Sequence, residues 1–459
     1  MKSGRAQEPS RGGQKWAVSL SSLPVALRLI SGLLLMIFLG AALFLLPGMS
    51  TRPLSINEAL FTSASALTVT GLTLIIPASD LTLAGQALLL ALIQIGGIGL
   101  MIFTVIIFRL LGRRISLVER MALRDMFGSL LPGAVLRLTM RVLLGVILIE
   151  GAGALALFFL WRDTMDPATA AWFAVFHSVS AFSNSGFDLF AGLPGYATIR
   201  NDSGTLFVLG TLIFLGSLGV PVLANLLALR SERRLTVHTR LTLAAVAILM
   251  TVSTLVLFIA EGVQAGVLRG ESLDRQWTLA IFQSVSARTA GFVGVPSFEL
   301  LAPASQMILI IVMFIGAAPA SMGGGITTGT AVVLGLALWS YARNRPYPEI
   351  GGRMISTETV RRATAVLVIS LAVVIMATLL LLLSDPSLTF DGALFEVVSA
   401  FATCGLTLAY TPRLEIFGQV VIILVMIWGR LGALTVMVAL ARPAKQSLYY
   451  YPEEQVLIG

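Results

Sequence analysis

The sequence predicts an all-α membrane protein: eight transmembrane helices and four re-entrant helices in four repeats with pseudo-four-fold symmetry. Three observations predict it. The 459-residue chain is 57% hydrophobic and 12% charged, with a mean hydropathy of +0.92, values of the polytopic membrane class. A stretch that begins with Phe, contains Ser-Ala and ends in Gly recurs four times: Phe61 to Gly71, Phe176 to Gly186, Phe282 to Gly291 and Phe395 to Gly405. Its glycines lie 115, 105 and 114 residues apart, a near-constant period that reads as four copies of one unit around a shared centre.

The first element is a polar, basic tail over residues 1–24. The apolar run after it is too long for a signal-peptide core and has no small-residue cleavage site, so it is read as a retained helix. Apolar runs long enough to span a bilayer follow near 25–47, 82–110, 134–161, 204–229, 240–262, 304–340, 362–384 and 416–441. They divide the chain into repeats at 25–112, 113–229, 230–342 and 343–441, with a second tail over 442–459. Each Phe-to-Gly stretch falls inside one repeat and is too short and too polar to cross. It is expected to enter part way as a helix and return as extended backbone, which survives at that depth only if buried or lining a wet cavity.

The net charge of +8 comes in basic blocks: the tail, 109–141, 230–240, 343–362 and the end after Arg442. Blocks between apolar runs argue for cytoplasmic loops and cytoplasmic termini in a multi-pass cell-membrane protein, and against a nucleic-acid surface. Acidic residues gather on the opposite side, among them Glu58, Asp80, Asp166, Asp188, Asp202 and Asp385. Two readings stand: a mouth that concentrates cations, or ordinary loop charges.

A cation that sheds its water needs replacement oxygens, and rings of backbone carbonyls supply them where the chain bends tightly enough. Glycine permits that bend. The candidate segments are Val69-Thr70-Gly71, Asn184-Ser185-Gly186, Thr289-Ala290-Gly291 and Thr403-Cys404-Gly405. The third is one residue nearer its serine than the others. Arg288, just before it, is expected to brace this segment by donating to neighbouring carbonyls.

The sixth run holds Gly316, Pro319, Ser321, Gly323, Gly324, Gly325, Thr327 and Thr328. A helix does not pass easily through a proline and three successive glycines, so this span should break at mid-depth. The break reads either as an irregular loop facing the pathway or as a kink for close helix packing. No Lys follows the glycines, which argues against a phosphate loop. Arg430 lies about halfway along the last apolar run, where a charge is costly unless paired or hydrated. It is a functional candidate, with a structural salt bridge to Glu150 as the competing reading.

Other side chains carry little. His177 and His238 are far apart and have no ligand cluster around them. Ser178 beside His177 does not make a catalytic pair, since adjacent helical residues point apart. Cys404 is the one cysteine and excludes an internal disulfide. No enzyme and no cofactor is expected.

With these residues assembled, the chain resembles the Trk/Ktr/HKT superfamily of potassium transporters, and its Ktr-type membrane subunits in particular, over nearly its whole length. The resemblance implies four M1–P–M2 repeats, each giving one filter glycine to a K+ site, with glycine in all four going with potassium selectivity. It implies that the segment around Gly323–Gly325 is a gating loop beneath the filter, and that Arg430 faces the pore there as an electrostatic barrier. It further implies potassium uptake with sodium as a candidate activator, a homodimer in membrane lipid, and a cytoplasmic ring of Ktr-type nucleotide-binding regulatory subunits. The alternative is a cation-coupled secondary transporter with a broken-helix substrate site. Such proteins usually carry inverted repeats, whereas these four units run in one direction.

Overall fold

A computed structural model of the chain describes residues 25–99, 132–193, 202–229, 233–264 and 266–432. Both tails, the basic segment near 109–131 and the far ends of the second and eighth apolar runs lie outside the described residues. The order is four successive sets, each with a first helix, a buried central helix and one or two helices after it. First come α1 (Val25–Phe44), α2 (Ile56–Thr68) and α3 (Leu83–Ile98), then α4 (Pro132–Trp161), α5 (Pro167–Phe182), α6 (Ser203–Ser217) and α7 (Val220–Leu227). The third set is α8 (Val237–Leu257), α9 (Leu273–Ser286), α10 (Pro303–Ile315) and α11 (Thr328–Ala342). A hairpin of β1 (Glu349–Ile350) and β2 (Arg353–Met354) leads to α12 (Thr357–Ser384), α13 (Phe390–Phe401) and α14 (Ile416–Leu431).

Burial departs from that of a soluble protein. The outer helices expose large apolar side chains, Phe207 at 76% and Leu383 at 72% among them, while the short helices α2, α5, α9 and α13 bury serines and threonines at the centre. This is the pattern of a chain solvated by lipid, where polar groups must find partners inside. Each short helix is anchored by its leading aromatic: Phe61, Phe176, Phe282 and Phe395 are all buried. Local sequence fixes where three of the four start. Ser55 and Glu58 form a capping box on α2, Asp166 caps α5 ahead of Pro167, and Thr389 caps α13.

Among the described residues, three helical stretches are long and apolar enough to cross a membrane: Val142–Trp161, Val237–Val263 and Thr357–Ser384. The expected run at 304–340 is broken, as its composition requires, into α10 and α11 with an irregular loop between them. The run at 204–229, expected to be one span, is broken as well: α6 and α7 meet at 103°. The cause is Gly219-Val-Pro221, where Gly219 takes φ +81 and the proline has no amide to continue the ladder. Gly99, Gly316 and Gly432 stop α3, α10 and α14 in the same way, each with positive φ.

A side chain at Gly219 would meet the carbonyl of Pro319 as well as the wrong backbone region. Gly219→Ala is therefore expected to destabilise the protein by about 1–3 kcal/mol, read as a lower thermal midpoint in detergent. An unchanged midpoint would mean that this junction tolerates a different turn.

Candidate ion pathway

Each short helix carries a serine in its last turn, Ser65, Ser180, Ser286 and Ser399, after which the chain reverses. The reversal uses a left-handed residue at Val69 (φ 58), Asn184 (φ 57), Thr289 (φ 101) and Thr403 (φ 48), and again two residues later at Gly71, Gly186, Gly291 and Gly405. Positive φ at the β-branched Val69, Thr289 and Thr403 is a strained choice, of the kind that persists where surrounding structure enforces it. The backbone amides turn back onto the helix end. Thr70, Ser185 and Cys404 each donate to the carbonyl five residues earlier, of Ser65, Ser180 and Ser399, at 2.8 Å. The third segment, one residue shorter, absorbs the difference: Ala290 donates to Ser286 O at 2.8 Å in an ordinary helical turn, and Gly291 follows at 3.3 Å.

The serines have a second task. Ser65 Oγ accepts from the Gly71 amide at 3.0 Å and Ser399 Oγ from the Gly405 amide at 3.1 Å. Ser180 and Ser286 instead donate to the carbonyls of Phe187 and Phe292, at 2.7 and 2.6 Å. These four residues were legible only as letters of the repeat, and their shared position before each glycine was the signal of their role.

With the amides so occupied, the carbonyls of Thr70, Ser185, Ala290 and Cys404 accept no backbone hydrogen bond among the described residues. A β-carbon on Gly71 would collide with the carbonyl oxygen of Ser185, one on Gly186 with that of Ala290, one on Gly291 with that of Cys404, and one on Gly405 with that of Thr70. The four segments thus form a closed cycle in which every glycine lies against the next segment's carbonyl. Eight of the twelve candidate residues make this cycle, and the other four, Val69, Asn184, Thr289 and Thr403, form the left-handed turns that lead into it.

The loop between α10 and α11 lies against one side of the ring. Gly323 packs on the Thr289 side chain, and Gly324 on Thr403 and the Ala402 carbonyl. The loop is held in the α6–α7 break: Ala318 N donates to Ser217 O at 3.1 Å, Met322 N to Gly216 O at 3.3 Å, and Val220 N returns a bond to Ala320 O at 3.0 Å. Pro319 faces Gly219, and Gly316 and Gly325 lie against each other at the loop's root. Thr327 caps α11, Thr328 N donates to Ala317 O at 3.0 Å, and the Ser321 hydroxyl is buried without a partner among the described residues.

Arg430 joins this loop to the first repeat. Its guanidinium donates to the carbonyls of Met322 and Gly96, and to that of Gly97 at 3.3 Å. The competing salt bridge to Glu150 is not formed, because Glu150 accepts from Gln94 Nε2 at 2.7 Å instead. Arg288 also departs from expectation. It is buried and reaches Ser217 Oγ at 3.4 Å, and its Nε and second terminal nitrogen have no partner among the described residues. Ser178 donates to Glu150 O at 2.6 Å, so it is not aimed at His177.

The carboxylates expected at the mouth are mostly structural. Asp166 and Asp202 cap α5 and α6, Asp385 accepts from Ser387, and Glu58 and Asp80 both bond Arg52 at 2.7 and 3.2 Å. Those two bonds, the one to Glu58 foremost, hold the Arg52 guanidinium above its ordinary range. Loop charge, more than a cation-gathering mouth, describes these residues.

The family model of TrkH, described as a cation transport protein, matches residues 36–449. The chain is 36% identical to Ktr system potassium uptake protein B of Vibrio alginolyticus, over 99% of this chain and 96% of that one. It is 35% identical to the protein of the same name in Bacillus subtilis, covering 93% and 95%, and 31% identical to the potassium/sodium uptake protein NtpJ of Enterococcus hirae, covering 95% and 97%. Its fold is similar to the crystal structure of the potassium transporter TrkH from Vibrio parahaemolyticus, with a TM-score of 0.72 at 20% identity over 94% of this chain and 86% of that one. A closed cycle of four glycine segments on a helical membrane scaffold, matched along nearly the whole chain, places the protein in the TrkH family of cation transport proteins, which are ion transporters and not enzymes.

Proposed function

We propose that the chain is the ion-translocating subunit of a potassium uptake system, with eight spans, four re-entrant pore helices and both termini in the cytoplasm. The observation that carries this reading is the cycle of glycines and free carbonyls at residues 70–71, 185–186, 290–291 and 404–405. Such a ring offers oxygens to a dehydrating cation from four sides, and the strained turns before it keep those oxygens from collapsing. Potassium enters as the transported substrate, driven by a membrane potential that supplies about 2.3 kcal/mol per charge per 100 mV. Below the ring, the Gly323–Gly325 loop and Arg430 form the gate. The uptake names of the relatives support this cargo, and their system names support a separate regulatory subunit, here a cytoplasmic nucleotide-binding ring on a homodimer of membrane chains.

A sodium requirement is a second reading, favoured by the potassium/sodium name of the Enterococcus relative. The test is potassium and sodium flux into proteoliposomes for the wild type and for Gly71→Ser. Potassium-selective flux that loses selectivity in the variant is expected, because the new side chain meets the Ser185 carbonyl. Unchanged selectivity would remove Gly71 from the pathway. Potassium flux that rises with added sodium in the wild type would establish the second reading.

A further inference from the structure

The position directly after the leading phenylalanine of each short helix is polar in all four repeats: Thr62, His177, Gln283 and Glu396, every one fully buried. In three of them the side chain reaches eleven or twelve residues ahead, onto the strand that leaves the filter. His177 Nε2 lies 3.0 Å from Asp188 Oδ1, which also accepts from the Phe190 amide at 2.7 Å. Gln283 Oε1 accepts from the Gly294 amide at 3.1 Å. Glu396 takes the most: Oε1 accepts from Thr407 Oγ1 at 2.5 Å and from the Leu408 amide at 2.9 Å, and Oε2 accepts from the Thr411 hydroxyl.

The first repeat lacks this link. Thr62 is too short to reach, and its hydroxyl has no partner among the described residues. Thr73, eleven residues on, closes onto its own strand through Ile75 instead, at 2.8 and 3.1 Å.

A buried polar side chain is costly unless bonded, so three such groups at equivalent positions, each with a bond to the corresponding strand of its own repeat, have a shared purpose. They stand behind the ring, on the side of each segment where the short helix packs. Their pull acts on the strand just past each filter glycine, and so on the spacing of the carbonyl oxygens. Discrimination between two ions of equal charge depends on that spacing and on how firmly it is held.

Resting on the reading of the ring as an ion filter, we infer that His177, Gln283 and Glu396 are positioning residues that fix the outer end of the filter, and that the ring is one such strut short at Thr62. The first strand is then the compliant side of the pathway. Loss of a strut relaxes selectivity before it stops transport, whereas loss of the Thr62 hydroxyl changes neither.

The experiment compares potassium and sodium flux into proteoliposomes at matched amounts of the full chain. Glu396→Leu and Gln283→Leu are expected to lower the potassium-to-sodium flux ratio about ten-fold, the equivalent of one buried hydrogen bond to the strand. The conservative Glu396→Gln and Gln283→Glu, which keep an acceptor oxygen, are expected to restore it to within about two-fold of wild type. Thr62→Val should hold the wild-type ratio. Should the leucine variants not reconstitute, Thr407→Val with Thr411→Val removes two donors at the strand end and should lower the ratio in the same way. A selective wild type whose ratio survives these strut variants, or falls as far in Thr62→Val, overturns the inference alone. A wild type with no selective cation flux overturns the filter reading itself.

Discussion

Alanine at Gly405 is expected to abolish potassium uptake without unfolding the protein. The new methyl group would occupy the space of the Thr70 carbonyl oxygen, and the residue sits at φ +92, where an L side chain is strained whatever the space. The strain costs about 1–3 kcal/mol, which a helical scaffold can absorb. The ring cannot absorb it, because moving Thr70 carries Gly71 with it, and Gly71 packs in turn on Ser185. Losing about 3 kcal/mol of coordination corresponds to roughly a hundred-fold fall in flux. Potassium uptake in proteoliposomes, beside the elution profile and thermal midpoint of the purified variant, separates loss of the site from loss of the fold. Because the cycle is closed, Gly186→Ala and Gly291→Ala should fall by a similar factor. An alanine variant at any of these positions that transports like the wild type would mean that its segment does not contact the ion.

That four-fold prediction was legible in the chain because the unit repeats. Phe, Ser-Ala and Gly recur at a near-constant distance, and a short buried helix followed by a glycine turn has few ways to satisfy its backbone inside a membrane. The broken sixth run was legible for a local reason, since Gly323-Gly324-Gly325 and Pro319 leave no continuous helix. The break at Gly219 carries the same kind of signal, one glycine and one proline, but it is set in an apolar run whose hydropathy does not change across it. Hydropathy measures whether a segment belongs in lipid and is silent on where it bends. Partners were the least legible part. Arg430 bonds carbonyls of Met322, Gly96 and Gly97, and every residue has a carbonyl, so no side-chain pattern marks these acceptors. The carboxylate of the competing reading, Glu150, instead accepts from Gln94. The buried polar residues after each leading phenylalanine were missed for a related reason: His, Gln and Glu share no chemistry as letters, and only the reach common to His177, Gln283 and Glu396 shows theirs as one position.

Removing Arg430 is expected to have the opposite sign from removing a filter glycine. The side chain does two things at once: it ties the loop at Met322 to the end of α3 at Gly96 and Gly97, and it places a fixed positive charge next to the loop that packs on the ring. A unit charge about 10 Å from the path, at an effective dielectric near 20, repels a cation by about 1.7 kcal/mol. Arg430→Ala should then raise potassium flux at fixed membrane potential by roughly fifteen-fold, and the released loop adds to the increase. Arg430→Lys separates the two contributions, since lysine keeps the charge but not the planar fork that serves several carbonyls together. If the charge is the barrier, the lysine variant stays near wild-type flux. If the tether is the barrier, it rises with the alanine variant. Flux that is unchanged or lower in Arg430→Ala, at matched protein in the same vesicles, would show that this arginine holds the helices together and does not restrain the ion.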